Sequence, residues 1–227
     1  MSILKEGFKQ FRTTNDLKQR YVASLFAQED EILKRVRYSA GKKVNMQLSA
    51  QEGKFLHFLI KLSGAKLVLE IGTFVSYSAI WIARALPTAG KLVTLEKNNE
   101  HYNIAKDNIK NSDVSDKVTI EHKDAKEYMK SILTQGIKYD AIFIDGRKDE
   151  YLQYLQLSEK ILKKGGLIIA DNTFLFSTVL SEEEPEKPSM KKMWRTMKEF
   201  NIQLANHEKY LGTMLPIYDG IAFVIKN

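Results

Sequence analysis

The chain contains no cysteine, and only four prolines and twelve glycines in 227 residues. Without cysteine there is no disulfide framework, no thiolate zinc or iron–sulfur site and no thiol nucleophile, so any chemistry must come from other side chains. The scarcity of glycine and proline argues against a fibrous repeat or a long disordered tract. Long apolar runs are missing too: none approaches the ~20 residues that span a bilayer. Residues Met1–Arg12 mix Lys5, Lys9 and Arg12 with isolated apolar side chains, unlike the continuous stretch of a secretory signal. A cytoplasmic protein without membrane contact is expected. What is present, 44% hydrophobic and 28% charged residues in 26.1 kDa, suits one globular domain with a helical appendage.

The net charge is +7, and residues 1–45 alone carry ten Lys/Arg against five acids. This fifth of the chain therefore holds +5, and the rest is close to neutral. Such a balance favours anionic partners but is too weak to identify a nucleic-acid binder. No internal repeat is visible, and the biased segment Ser181–Pro188 reads as an exposed loop.

Between Asn15 and Tyr38, Leu17, Tyr21, Leu25, Ile32 and Val36 recur at helical spacing, with Asn15 or Asp16 as a cap, which predicts one or two amphipathic helices. A further helix is expected after Ser49, with Glu52 completing a capping box and Phe55, Leu56, Leu59 and Ile60 forming its apolar stripe. After Gly64 the pattern changes. Short apolar runs at Lys66–Ile71, Leu92–Leu95, Val118–Ile120, Ala141–Ile144 and Leu167–Ala170 read as strands buried on both faces. Helical stretches at Ser78–Leu86, His101–Asn111, Lys126–Leu133 and Tyr151–Leu162 alternate with them, the last stopped by Lys163-Lys164-Gly165-Gly166. A helix at Met190–Phe200 and an antiparallel edge pair near Met214–Ile217 and Ile221–Ile225 complete an α/β, doubly wound, mostly parallel sheet.

Ligands in such a sheet bind beyond the carboxyl ends of the strands. The first strand ends in Glu70-Ile71-Gly72; the three-glycine dinucleotide fingerprint and the Walker lysine are both absent, which disfavours a diphosphate cradle. The second ends at Glu96, where an acid can accept ribose hydroxyls, and the third is followed by Asp124-Ala125, where an adenine edge would lie. One glycine turn, a ribose acid and no phosphate cradle fit S-adenosylmethionine. The fourth and fifth strands end in Asp145 and in Asp171-Asn172. As neighbours they converge three oxygen ligands suited to a hard divalent cation such as Mg²⁺, Ca²⁺ or Mn²⁺. Singly, Asp145 reads equally as a helix cap and Asp171-Asn172 as a turn; their joint placement favours the ligand set.

The stretch 46–227 resembles the cation-dependent, class I O-methyltransferases, a family that includes caffeoyl-CoA and catechol O-methyltransferases and small bacterial relatives. The resemblance rests on Met46-Gln47-Leu48-Ser49, Val68-Leu69-Glu70-Ile71-Gly72-Thr73 with Tyr77-Ser78, and Phe143-Ile144-Asp145 with Lys148 and Tyr151. It extends through Gly165-Gly166-Leu167, Ala170-Asp171-Asn172 and Leu215-Pro216-Ile217-Tyr218-Asp219-Gly220. It implies a Rossmann-like methyltransferase domain over 46–227 preceded by a helical segment over 1–45. Glu70, Gly72 and Ser78 would hold the methionine part of the cofactor, with Met46 near its sulfonium, Glu96 on the ribose and Asp124-Ala125 facing the adenine; Asp145 would adjoin the cofactor as well as the metal. Asp145, Asp171 and Asn172 would bind the cation, and Lys148 would be the general base. A cation chelated by two adjacent hydroxyls lowers the pKa of the reacting one, and neutral Lys148 can then take its proton.

Two departures stand out. Relatives usually carry a second glycine where this chain has Ser76, so a side chain there threatens cofactor binding. Many bacterial relatives carry Asp at Arg147 and Ala at Gly146; Arg147 either selects an anionic acceptor or points to solvent. Phe174–Phe176, directly after the metal pair, read as an acceptor wall or as packing. His57, His101, His122 and His207 lack metal spacing and are expected away from the strand ends; Trp81 and Trp194 are expected to pack. The leading expectation is a homodimeric enzyme that methylates a vicinal-dihydroxy aromatic small molecule. The alternatives are a tRNA hydroxyuridine methyltransferase, served by the +5 segment, and a non-enzymatic binding protein.

Overall fold

A computed structural model describes residues 17–227. The expected caps Asn15 and Asp16 lie outside the described residues. The strands are β1 (Leu67–Ile71), β2 (Lys91–Glu96), β3 (Val118–His122), β4 (Tyr139–Ile144), β5 (Leu162–Asp171), β6 (Tyr210–Leu215) and β7 (Ile221–Lys226), in the order β3-β2-β1-β4-β5-β7-β6. The chain forms two compact units.

One unit comprises the described residues up to Leu67 together with Thr73–His122. It holds helices α1 (Leu17–Phe26), α2 (Glu31–Ser39), α3 (Ala50–Ser63), α4 (Tyr77–Ala85) and α5 (Asn99–Lys110), a 3₁₀ turn over Gly41–Met46, and the parallel pair β2 and β3. The capping box on α3 is present: Ser49 Oγ accepts the Glu52 N–H and the Glu52 carboxylate accepts the Ser49 N–H at 2.7 Å. Gly64, φ +65°, ends this helix in the left-handed conformation that a glycine C-cap supplies. Leu33, Val36, Leu56, Ile60, Ile80 and Ile82 form the apolar core of the unit.

Helix α1 departs from expectation. Its stripe Leu17, Tyr21 and Leu25 is 76%, 67% and 55% exposed rather than buried. The inner side of this segment is marked instead by the small Ala27, and Gln51 ties the helix to α3 through the Gln19 carbonyl. Strand β3 also departs: Val118 and Ile120 are only half-buried, because β3 is the terminal strand and has one neighbour.

The second unit, Val68–Gly72 with Lys123–Asn227, contains most of the sheet. Here β1 pairs with β4 and β4 with β5 in parallel, while β7 runs antiparallel to β5 and β6 antiparallel to β7. Helices α6 (Ala125–Leu133), α7 (Tyr151–Ile161) and α8 (Pro188–Leu204) accompany them. Phe143, Ile168, Ile169, Leu155, Met197 and Phe200 are fully buried, as expected for strands covered on both faces. Helix α7 stops at Ile161, as expected to within a residue, but Lys163–Gly166 form a bulge within β5 rather than a turn before it. Leu162 is already extended and paired with Tyr139, and the register resumes at Leu167 with Ala141, leaving Gly165 at φ +74° in the excess loop.

Among the described residues no helix is long and apolar enough to cross a membrane. Replacing the capping serine, Ser49→Ala, should lower stability by about 1 kcal/mol in urea unfolding; an unchanged midpoint would show that the cap adds nothing.

Candidate active site

The turn after β1 begins with a steric constraint. Gly72 has φ +99°, and a Cβ placed on it would lie 2.3 Å from the carbonyl oxygen of Asp145. The Asp145 N–H donates to the Ile71 carbonyl at 2.9 Å, so the ends of β1 and β4 are drawn together until only glycine fits. The glycine read as a cofactor turn is thus already demanded by the protein's own backbone.

In the first unit, the residues after this turn converge on Glu96. Its two carboxylate oxygens accept the Phe74 N–H at 2.8 Å and the Asn98 N–H at 2.7 Å. An ionised carboxylate offers about four lone-pair sites, so acceptor capacity remains for two adjacent hydroxyls. Thr73 Oγ1 and Thr94 Oγ1 share a buried hydrogen bond of 2.6 Å beneath the turn. His101, expected away from the strand ends, lies beside the acid: its Nδ1 is 3.9 Å from Glu96, its ring meets Phe74 edge-on, and its Nε2 is 3.0 Å from Lys43 Nζ. Helix α5 starts three residues after β2 and carries it there, a placement that spacing rules for metals do not detect. A cavity of about 310 Å³ is lined by Ser39, Lys43, Phe74, His101 and Ile104, among others.

Ser76 occupies the second glycine position with φ +70°, which explains why glycine suits it. The side chain is fully buried, and its hydroxyl donates to the Val75 carbonyl and lies 3.4 Å from that of Ala105, bonds internal to this unit. Ser78 follows in the first turn of α4, whose leading N–H groups form a site favourable to a carboxylate. Met46 ends the 3₁₀ turn and is 59% exposed. Next to it, Gln47 donates to the Arg37 carbonyl, Arg37 donates to that of Leu48, and Arg37 packs over the Tyr77 ring at 4.1 Å. Glu29 accepts from both Arg37 and Tyr77 at 2.7 Å, tying the Met46 segment to the start of α4; burial pushes the Tyr77 hydroxyl pKa up.

In the second unit, β4 and β5 bring the remaining residues together. Ile144 pairs with Ala170, so Asp145 and Asp171 follow adjacent strand ends. Lys148, in the 3₁₀ turn Lys148–Glu150, donates to Asp145 Oδ1 at 2.8 Å and to the Tyr151 hydroxyl at 2.6 Å. Tyr151, fully buried, donates onward to the Asp171 carbonyl at 2.9 Å. It is the bridge between the two strand ends, a role its sequence position after Lys148 does not disclose. Asp171 and Asn172 are buried, and Asn172 adopts φ +57°. Glu70 is buried in the middle of β1, opposite Phe143. Asp124 caps α6, accepting the N–H groups of Lys126 and Glu127, with Ala125 opening the helix.

Arg147 points to solvent, 63% exposed, in a bidentate pair with Asp149. Although burial acts in the other direction, Arg147 and Lys192 hold the Asp149 carboxyl below its ordinary range. Gly146 leaves room for Tyr154: a Cβ there would lie 2.9 Å from its ring. Asp219 also enters this region. Burial and the Asp171 charge push its carboxyl up to about 6, against the pull of the Phe176 N–H, of Lys148 and of the Ser177 N–H.

Among the described residues no group of three or more His, Cys, Asp or Glu side chains is arranged to hold a metal. The set read from sequence has two carboxylates and one amide. These are hard oxygen donors, matching Mg²⁺ or Ca²⁺ in kind.

A mostly parallel sheet with an antiparallel β6–β7 pair and helices ahead of it is the class I methyltransferase fold. The O-methyltransferase family model matches residues 23–227, and the chain belongs to that family. It is 35% identical to a catechol O-methyltransferase of Niastella koreensis over 90% of this chain and 94% of that one. It is 34% identical to caffeoyl-CoA O-methyltransferase 1 of Eucalyptus globulus, covering 95% and 90% respectively. The O-methyltransferase of Bacillus cereus, solved in complex with SAH, superposes with a TM-score of 0.80 at 28% identity over 92% of this chain and 96% of that one.

Gly72→Ala should destabilise the ligand-free protein by about 2 kcal/mol or more, since the added methyl collides with backbone that cannot rotate away. Thermal melts without any ligand test this; a midpoint equal to the wild type would refute the steric origin of the glycine.

Proposed function

We propose that this protein transfers the methyl group of S-adenosylmethionine to one hydroxyl of a vicinal-dihydroxy aromatic small molecule, with help from a divalent cation. The observation that carries the reading is the Asp145–Lys148–Tyr151–Asp171 chain of hydrogen bonds across the ends of β4 and β5. The names of the relatives, catechol and caffeoyl-CoA O-methyltransferases, supply the acceptor class. The SAH complex of the Bacillus cereus relative supports the cofactor.

In this reading Glu96, held by two backbone N–H groups, receives the ribose hydroxyls. Glu70, Gly72, Ser78 and Met46 surround the methionine part, Asp124-Ala125 border the adenine, and Asp145 adjoins the cofactor. The N-terminal turn of α4 faces its carboxylate. Asp145, Asp171 and Asn172 hold the cation. Bound together, the two groups supply an activated methyl and a positive charge that makes an aromatic hydroxyl more acidic. Lys148, once its amine is neutral, would take the hydroxyl proton at Nζ, and its hydrogen bond to the Tyr151 hydroxyl fixes the direction of that amine. Since the Lys148 ammonium now donates to Asp145, a cation and Lys148 compete for the same carboxylate. Phe174 and Phe176, half-buried after Asn172, offer an apolar wall to the ring. Alignment of two bound reactants can account for up to about 7–11 kcal/mol of the barrier.

The catalytic domain is read as 46–227 and the protein as a cytoplasmic homodimer. The exposed apolar side chains of Leu17, Tyr21, Leu25, Phe58 and Leu62, all in the first unit, support an interface there.

Calorimetry with S-adenosylmethionine should show binding, and methyl transfer to catechols should stop in EDTA; activity that survives the chelator removes the cation. Lys148→Ala should lower kcat by about 10²–10⁴-fold with cofactor affinity unchanged, whereas an unaltered kcat excludes it as the base. Replacing Tyr21 and Leu25 together by aspartate should turn a dimer into a monomer in sedimentation velocity.

A further inference from the structure

The β6–β7 turn ends in Tyr218-Asp219-Gly220, and Asp219 is 3% exposed. Asp219 Oδ1 accepts the Phe176 N–H at 2.7 Å, its backbone carbonyl accepts the Phe174 N–H at 2.8 Å, and the Gly220 carbonyl accepts the Thr173 N–H at 3.1 Å. These three bonds fasten the loop that follows Asn172. The other carboxylate oxygen, Oδ2, is buried and has no hydrogen-bond partner among the described residues, and neither has Thr173 Oγ1 in the neighbouring strand end.

Fastening the loop does not explain this arrangement. One oxygen suffices to hold the Phe176 N–H, and an asparagine would supply it without burying a charge. The Ser177 N–H also favours the carboxylate, yet Oδ2 is left buried without a hydrogen bond among the described residues, and a buried unsatisfied group costs about 1–3 kcal/mol. This carboxylate lies in the turn before β7, whose first residue Ile221 lies opposite Asp171, and against the loop that follows Asn172. A buried carboxylate oxygen at such a place is favoured by a positively charged or hydrogen-bond-donating partner.

We propose that Asp219 is a positioning residue for the divalent cation: its Oδ2 accepts a hydrogen bond from water that the cation carries, while Asp145, Asp171 and Asn172 bind the cation directly. The inference rests on the cation reading above. It separates two duties within one side chain, Oδ1 for the loop and Oδ2 for the cation's water, and outer partners of this kind commonly change metal affinity by about 10–100-fold.

The test is calorimetric titration of Mg²⁺ and of Mn²⁺ into the full chain saturated with S-adenosylhomocysteine, for the wild type, Asp219→Asn, Asp219→Ser and Asp171→Asn, with cation-free thermal melts of each. Asp219→Asn keeps an oxygen for the Phe176 N–H and removes a buried charge. It should therefore melt no lower than the wild type yet bind either cation about 10–100-fold more weakly. Asp219→Ser, a second route to losing the charge, should lose affinity likewise. If either folded variant binds within about twofold of the wild type while Asp171→Asn abolishes binding, the cation reading stands and the role of Asp219 is refuted. If the wild type binds neither cation and Asp171→Asn is indistinguishable from it, the cation reading fails and takes this inference with it.

Discussion

Everything at the second unit's strand ends depends on how closely β1 and β4 meet. The hydrogen bond from Asp145 to Ile71 and the missing side chain of Gly72 bring two backbones within van der Waals contact. A larger residue at 72 would push the Asp145 carbonyl away and carry with it the 145–151 segment. Lys148 reaches Asp145 only because that segment leaves β4 at this point, and Tyr151 reaches the Asp171 carbonyl only because α7 begins three residues later. A glycine required by the protein's own backbone thus sets the distances among the candidate chemical groups.

The opposite wall of the same region is built with strain. Asn172, Leu175, Phe176 and Ser177 all have positive φ without being glycine. Each such residue costs about 1–2 kcal/mol, and the loop persists because the surrounding structure over-determines it. The bonds from Phe174 and Phe176 to Asp219, from Thr173 to Gly220, and from Asn201 to the Thr173 carbonyl supply that determination. They also explain why the Leu215–Gly220 stretch, far from Asp171 in sequence, travels with it as a motif. Antiparallel pairing of β7 with β5 places Ile221 opposite Asp171, so the turn before β7 must lie against the loop after β5.

The sheet and its helices were legible because each reports itself locally, through a capping box at Ser49, a β-branched run at Val68–Ile71, or the alternation of strands and helices after Gly64. So was the adjacency of Asp145 and Asp171, which follows from strand order. Properties settled by the number of neighbours were not. Val118 and Ile120 read like core residues and sit on an edge strand, and Leu17, Tyr21 and Leu25 make a proper helical stripe with no partner in the described unit. Likewise, no local pattern says that a serine at position 76 will adopt a glycine-like φ and turn its hydroxyl inward, or that one tyrosine will join Lys148 to the backbone of the next strand. These are tertiary facts, set by groups distant along the chain.

The charge bears on the acceptor in the same way. As a sum, +5 over residues 1–45 suggests phosphate binding, but charge already committed inside the fold is not offered to a polyanion. Arg37 is held between Glu29 and the Tyr77 ring, Arg35 donates to the Asn111 carbonyl, Lys34 pairs with Glu31, and Lys43 reaches His101 and Glu100. The contacts of Arg37 with Glu29 and the Tyr77 ring brace the segment that ends at Met46 against the start of α4. Arg147, the cation nearest the candidate base in sequence, is taken up by Asp149. Among the described basic residues of the N-terminal segment, Arg37 thus serves to hold this part of the first unit in shape. Beside Asn172, Phe174 and Phe176 are half-buried, an apolar setting consistent with the proposed aromatic acceptor.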